Sequence, residues 1–332
     1  MRLIVHLALV CLAASGCYNW NQVPSGVQQR TLDLPVAGLT QRYTLLRPLA
    51  SATANSTATE VRHPALVLLH SGFTGDESVS AALARRLVQR GMVVILPAYR
   101  GEVRKLDGKR SEGSIEFCRG EVDDAQAALR WLREQPFVDA QRIGALGSSH
   151  GGCIALQLGQ REPGLRALVT FSAPVAAGPL LDNLGSHPDQ TYFYNGILAA
   201  QLRSYIKASP KTQPEQYELR SPLSGIERIR TPLLVFHGMV DHIVPIEQAC
   251  WLYQVLAAAG RRISERWITP QGTLHQPLTS ECPQAAAVQA ATTMPTRTEF
   301  VFMEGQGHFY APRPKQTATE IALQFLTQEL QP

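Results

Sequence analysis

Gly147-Ser148-Ser149-His150-Gly151-Gly152 is the stretch around which the chain is organised. Before it runs Arg142-Ile143-Gly144-Ala145-Leu146, which reads as a short buried strand. After it, Cys153-Ile154-Ala155-Leu156-Gln157-Leu158 reads as the apolar side of a helix. A serine flanked as Gly147-x-Ser149-x-Gly151 between strand and helix is the nucleophile-elbow pattern. Such a serine sits on a sharp, strained turn, and the flanking glycines let strand and helix approach closely. The rest of the chain then has to supply an acid, a histidine and an oxyanion hole, in the chain order serine, acid, histidine.

The 332 residues suffice for one large α/β domain with a substantial core. A formal charge of +4 without a long basic run gives no footing for nucleic acid as a partner. Arg2 and the apolar run Leu3 to Leu12 fit a secretory signal, being too short for a permanent membrane span. Ala13-Ala14-Ser15-Gly16-Cys17 resembles the lipobox of bacterial lipoproteins, although Ala14 stands where leucine is more usual. That resemblance implies a signal peptide over 1–16, a lipid on Cys17 and a polar tether over 17–29. The globular domain is expected over 30–332, and contact with the membrane only through the anchor. Tyr18, rather than aspartate, implies the outer membrane of a Gram-negative cell. A plain signal peptide cleaved nearby is the alternative.

Strand and helix alternate from Ala65 to Phe171. The runs Ala65–Leu69, Met92–Leu96 and Ala167–Phe171 are apolar throughout, as expected for parallel strands covered on both faces. Helices are expected over 79–90 and 121–134, and edge strands over 31–36 and 42–49, with a mobile loop at 51–59. From Ser172 to Arg230 prolines and glycines break the alternation. This reads as an insertion of short helices lying over the carboxyl ends of the strands, where such sheets bind ligands. Strand 233–236 and helix 246–259 restore the pattern. A second irregular piece over 261–298 precedes strand 299–303 and a helix over 317–330. The fold class is α/β, with a mostly parallel sheet and helices on both faces.

Asp241 follows the strand 233–236, where a carboxylate can orient an imidazole and stabilise its charged form. Asp182 and Asp189, in the insertion, are rivals tied to no strand end. His308 follows the last strand within Gly305-Gln306-Gly307-His308 and is the histidine of choice, with His275 its rival. The oxyanion hole is expected from the backbone N–H of His150 and that of Phe73, in the loop His70-Ser71-Gly72-Phe73-Thr74-Gly75. That loop also admits reading as a plain glycine turn. No CxxC or HExxH occurs, so a zinc site or other cofactor has no support.

Tyr99-Arg100-Gly101, Gly120-Glu121-Val122-Asp123-Asp124, Val138 to Gly144, the Ser149-His150-Gly151-Gly152 elbow, His237-Gly238 to Asp241 and Gly307-His308 form a continuous set. Through it the chain resembles the α/β-hydrolases. Within that superfamily it looks like the catalytic domain of the prolyl oligopeptidase family and the related dienelactone hydrolases. The resemblance implies a Ser149, Asp241, His308 triad, with Asp123 and Asp124 structural. It also implies a small-molecule or peptide acyl substrate. Large members of the peptidase family carry an amino-terminal propeller; none is expected here, and the 172–230 insertion is expected to serve as lid. Ester and amide bonds use the same triad, so both remain open. The alternative from another class is a catalytically silent lipoprotein that binds a partner.

Cys11 leaves with the signal, and four cysteines follow Cys17. In an oxidising compartment a Cys250–Cys282 bridge would hold the weakly apolar 261–298 segment and fix the histidine-bearing strand beside the acid loop, the alternative being a buried apolar Cys250 and a free surface thiol at Cys282. Cys153 reads instead as a small buried apolar residue.

Overall fold

The computed structural model describes residues 23, 25–49, 61–73, 78–186, 191–276, 282 and 294–331. The expected signal, Cys17, and the loop at 51–59 lie outside them.

The apolar runs assemble into one ten-stranded sheet. Its strands are β1 (Val27–Val36), β2 (Leu39–Pro48), β3 (His63–Leu69), β4 (Val93–Ala98), β5 (Val138–Ser148), β6 (Ala167–Phe171), β7 (Leu233–Gly238), β8 (Arg261–Ile268), β9 (Leu274–His275) and β10 (Met294–Met303), in spatial order β1-β2-β4-β3-β5-β6-β7-β10-β8-β9. The stretch from β4 to β8 is parallel, and antiparallel strands stand at both ends. Helices α1 (Ser78–Val88) and α8 (Pro312–Glu329) pack on one face. On the other lie α2 (Gly120–Arg133), α3 (His150–Arg161) and α7 (Ile246–Ala258), together with α4 (Ala177–Ser186), α5 (Thr191–Ile206) and α6 (Pro214–Glu218). The period-2 alternation of a strand divides β3 between these cores: Ala65, Val67 and Leu69 enter one, Leu66 and Leu68 the other.

Three expectations change. The tether was expected to reach residue 29, yet Val27, Gln28 and Gln29 already pair with Pro48, Arg47 and Leu46 in β1 and β2. The segment 261–298 is irregular at neither end, for β10 already begins at Met294 rather than 299, and Arg261–Ile268 is a strand alongside it. Its charged residues hid it: Arg262 and Ser264 face solvent, while Arg266 and Trp267 are only partly covered, so no apolar run marks it. The last helix begins at Pro312, earlier than 317, because proline at the first turn lacks only an N–H that would have no helical partner.

Below the sheet's carboxyl edge a buried ionic cluster fixes the loop after β4. Arg100 donates to Asp124 from Nη2 at 2.9 Å and to Glu116 from Nη1 at 2.7 Å. Asp123 pairs with Arg161 at the surface. Both aspartates thus have structural partners.

Candidate active site

Ser149 caps β5 and opens α3 with φ 51° and ψ −117°, a strained conformation for a residue with a side chain. Its N–H donates to the Phe171 carbonyl at 2.8 Å, which locks the turn to β6. The glycines on either side are required by contact. A Cβ on Gly147 would overlap the Gly151 carbonyl, and one on Gly151 would overlap the carbonyls of Leu69 and His70. The turn also lies where the strand order reverses, between β3 and β5, the usual ligand-binding crevice of an open α/β sheet.

Asp241 and His308 stand on loops after β7 and β10, which are neighbours in the sheet. Asp241 is buried, and its Oδ1 accepts the N–H groups of Ile243 and Val244, each at 2.9 Å. Those bonds leave Oδ2 for His308, whose Nδ1 lies 2.7 Å away. The other ring nitrogen, Nε2, is 3.0 Å from Ser149 Oγ. The carboxylate can only accept, so Nδ1 carries the imidazole proton and Nε2 is free to take one from the serine. Burial raises the pKa of Asp241, but the hydrogen bond and charge of His308 outweigh it and hold the carboxyl below its ordinary value. The structure therefore brings together the three residues selected from the sequence.

The rivals lie elsewhere. Asp182 is exposed on α4, and Asp189 is outside the described residues. His275 is exposed in β9 and hydrogen-bonds Glu304 at 2.8 Å. Among the described residues, no group of three or more His, Cys, Asp or Glu side chains is placed to hold a metal ion.

Phe73 sits in the loop after β3, and His150 is the first residue of α3, so both expected oxyanion donors flank the serine turn. Their rings pack together with centroids 5.0 Å apart, and Phe73 also meets Tyr205 of α5 edge-on at 5.2 Å. The insertion reaches the acid loop as well, where Asn195 donates to the His242 carbonyl at 3.1 Å. At its far end Arg220 donates to the Glu116 carbonyl at 2.7 Å. The 172–230 segment is thus docked at several points over the carboxyl edge.

Two side chains of the site were not selected from the sequence. His237 is buried, and its Nε2 donates to the Val244 carbonyl at 2.8 Å, closing the Asp241 loop on itself. Desolvation lowers its pKa, so the ring is neutral. The imidazole of His150 is also buried, and desolvation holds its pKa down to about 4. Its Nε2 accepts the Cys118 N–H at 3.2 Å, and its Nδ1 lies 3.2 Å from the Gly72 carbonyl. The elbow pattern marks only the backbone of this residue, so nothing in the motif pointed to the ring.

Cysteine pairing is broader than expected. Cys250 joins Cys282, tying α7 to the segment before β10. Cys153, read as an unpaired buried residue, is bonded to Cys118 in the loop before α2. Their 35-residue separation in sequence concealed a Cα–Cα distance of 6.0 Å that only the stacking of α2 and its loop on α3 creates.

The profile of the prolyl oligopeptidase family matches residues 77–275, a span that includes Ser149 and Asp241. The uncharacterized peptidase YtmA of Bacillus subtilis is 30% identical over 196 residues, covering 58% of this chain and 70% of that protein. The acylamino-acid-releasing enzyme of Rattus norvegicus is 28% identical over 193 residues, 57% of this chain but 25% of the rat enzyme. Among solved structures, a puromycin-hydrolyzing peptidase of Mycobacterium tuberculosis superposes with TM-score 0.66 at 21% identity, over 91% of this chain and 39% of the other. An acylaminoacyl peptidase of Pyrococcus horikoshii gives 0.64 at 15% identity, over 92% and 42%. The chain spans a quarter of the rat enzyme and about two fifths of these structures, whose fold it shares. With the family profile covering well over half its length, on an α/β-hydrolase sheet, the chain belongs to the prolyl oligopeptidase family of peptidases.

Proposed function

We propose that the protein is a serine peptidase that cleaves an acyl bond through Ser149, His308 and Asp241 by way of a covalent acyl-enzyme. The observation that carries this reading is the unbroken hydrogen-bonded line from Ser149 Oγ through His308 to Asp241. Ser149 Oγ would attack the substrate carbonyl while its proton passes to His308 Nε2. Charge on the carbonyl oxygen would be met by the N–H groups of Phe73 and His150. As the bond to the leaving group breaks, His308 returns the proton to it. Water then repeats the sequence and frees Ser149. Asp241 remains ionised throughout and stabilises the imidazolium.

The names of the relatives, acylaminoacyl and puromycin-hydrolyzing peptidases, favour a blocked peptide or aminoacyl amide as substrate. The half-buried aromatic pair of Phe73 and Tyr205 beside the serine turn suits a substrate with an apolar side chain. Carboxylic esters are the second reading, kept open by the sequence His70 to Gly75, which resembles that of esterases as much as that of peptidases. Turnover of acylaminoacyl p-nitroanilides and of p-nitrophenyl esters, each compared with Ser149→Ala, tests both. A Ser149→Ala variant as active as wild type on every substrate would end the serine reading. Lipidation at Cys17 and residence at the outer membrane are also proposed, on the lipobox-like sequence alone.

A further inference from the structure

The imidazole of His150 has each ring nitrogen engaged with a different backbone segment. The Cys118 N–H can only donate, so Nε2 is the bare, accepting nitrogen. The ring proton is therefore on Nδ1, which donates to the Gly72 carbonyl. This arrangement requires a neutral ring, since a second proton on Nε2 would face the Cys118 N–H. Phe117 stacks on the imidazole with centroids 5.3 Å apart and Tyr99 meets it edge-on at 5.4 Å, which holds the plane of the ring, and the two hydrogen bonds select its orientation within that plane.

The accepting end is itself anchored. Cys118 is bonded to Cys153 on the same helix as His150, and its carbonyl accepts Gln157 Nε2 at 2.6 Å. Phe117 and Cys118 both adopt positive φ, 56° and 54°, the bend that turns the Cys118 N–H toward the ring. Two non-glycine residues in that region are held there by the surrounding structure.

The donating end reaches the Gly72–Phe73 peptide. A peptide is planar and trans, so its C=O and N–H point in opposite directions. Holding the Gly72 oxygen against His150 thereby fixes the direction of the Phe73 N–H. We propose that the His150 side chain is a positioning residue for acyl transfer, aiming the Phe73 N–H while the backbone N–H of the same residue supplies the second oxyanion donor. This inference rests on the serine-peptidase reading above. It assigns to one residue the geometry of both donors, with the disulfide-anchored loop as its fixed support.

Three variants separate aiming from mere packing. In His150→Asn the side-chain amide can stand where Nδ1 does and still donate to Gly72. In His150→Gln the amide lies at the position of Nε2 and leaves Gly72 without its donor, and His150→Leu leaves it without any. Readouts are kcat and KM on p-nitrophenyl butyrate, and the rate of labelling by a fluorophosphonate, whose phosphoryl oxygen enters the same hole. His150→Gln and His150→Leu are expected to lose roughly 10- to 100-fold in kcat and in labelling rate, short of the roughly 10²–10³-fold for deleting a donor. KM should stay within about threefold, and His150→Asn should recover most of the rate. Equal rates for the Asn and Gln variants, or a loss carried by KM alone, overturn the inference. Should His150→Leu fail to fold, the Asn–Gln contrast still decides. Ser149→Ala is run in parallel: its activity would sink the peptidase reading, whereas an inert Ser149→Ala beside an indifferent His150 series overturns only the aiming role.

Discussion

The carbonyl of Gln306 accepts the N–H of Val240 at 3.0 Å, and this bond binds the loop of His308 to the loop of Asp241. Gly238 lies directly beneath, where a Cβ would strike the carbonyls of Gln306 and Gly307. The distance from His308 to Asp241 is therefore set by backbone against backbone. Gly238→Ala should push the loops apart and lower kcat by about 10- to 100-fold, since displacements near 1 Å carry losses of that order. Steady-state kinetics with a thermal melt checks it. Unchanged kcat would show that the loops move together.

Asp241→Asn keeps the shape of the acid and reverses half its hydrogen-bonding. If its amide faces His308, the imidazole must place its proton on Nε2 and can no longer accept from Ser149. A loss of about 10⁴-fold in kcat is expected, with the fold retained. Activity within tenfold of wild type would move the acid elsewhere.

Removing the bridge between Cys118 and Cys153 by double substitution to serine should lower stability by roughly 3–4 kcal/mol in the loop-entropy account. The Cys250–Cys282 pair closes a loop of similar length, with separation 32 against 35, and should contribute comparably. Only the first pair adjoins His150, so kcat should fall more in that variant. Urea titration and kinetics on both double variants make the comparison.

Acid sensitivity follows from the neutral His150. Its folded pKa of about 4 lies below the ordinary value of 6.5, so the unfolded chain binds the extra proton more readily. The stability this neutral ring permits is complete above pH 6.5 and is lost as pH falls toward 4. That fall corresponds to a loss on the order of 3 kcal/mol. His150→Asn lacks this component, so its unfolding free energy should decline less than wild type over the same window. Parallel declines in urea titrations at several pH values would contradict the assignment.

At the amino terminus, wild-type protein should fractionate with membranes and Cys17→Ser should not. Soluble periplasmic wild type, uncut at Cys17, would refute the lipoprotein proposal.

The apolar runs of β3, β4, β6 and β7 were legible because both their faces are covered, and the loops following strands carried the acid and histidine. Strand β8 was not legible: near the sheet's end its side chains meet solvent, and a strand of arginines and glutamate has no apolar signature. The Cys118–Cys153 bridge and the His150 ring escaped for another reason. Both depend on the loop before α2 curling back onto α3, a contact between segments more than 30 residues apart that no local pattern encodes. Gly238 likewise looks like any turn glycine until β10 is laid beside it.

The placement of β10 between β7 and β8 also sets an order of assembly. During synthesis β7 and β8 emerge before the strand that separates them. Until residues 294–303 arrive, the gap presents two open parallel edges, each able to pair wrongly or with another chain. The same late strand delivers His308, so closing the gap and completing the site are one event. A nascent chain that has not yet made β10 is exposed to aggregation and lacks His308, so under the proposed triad activity waits until the sheet is whole.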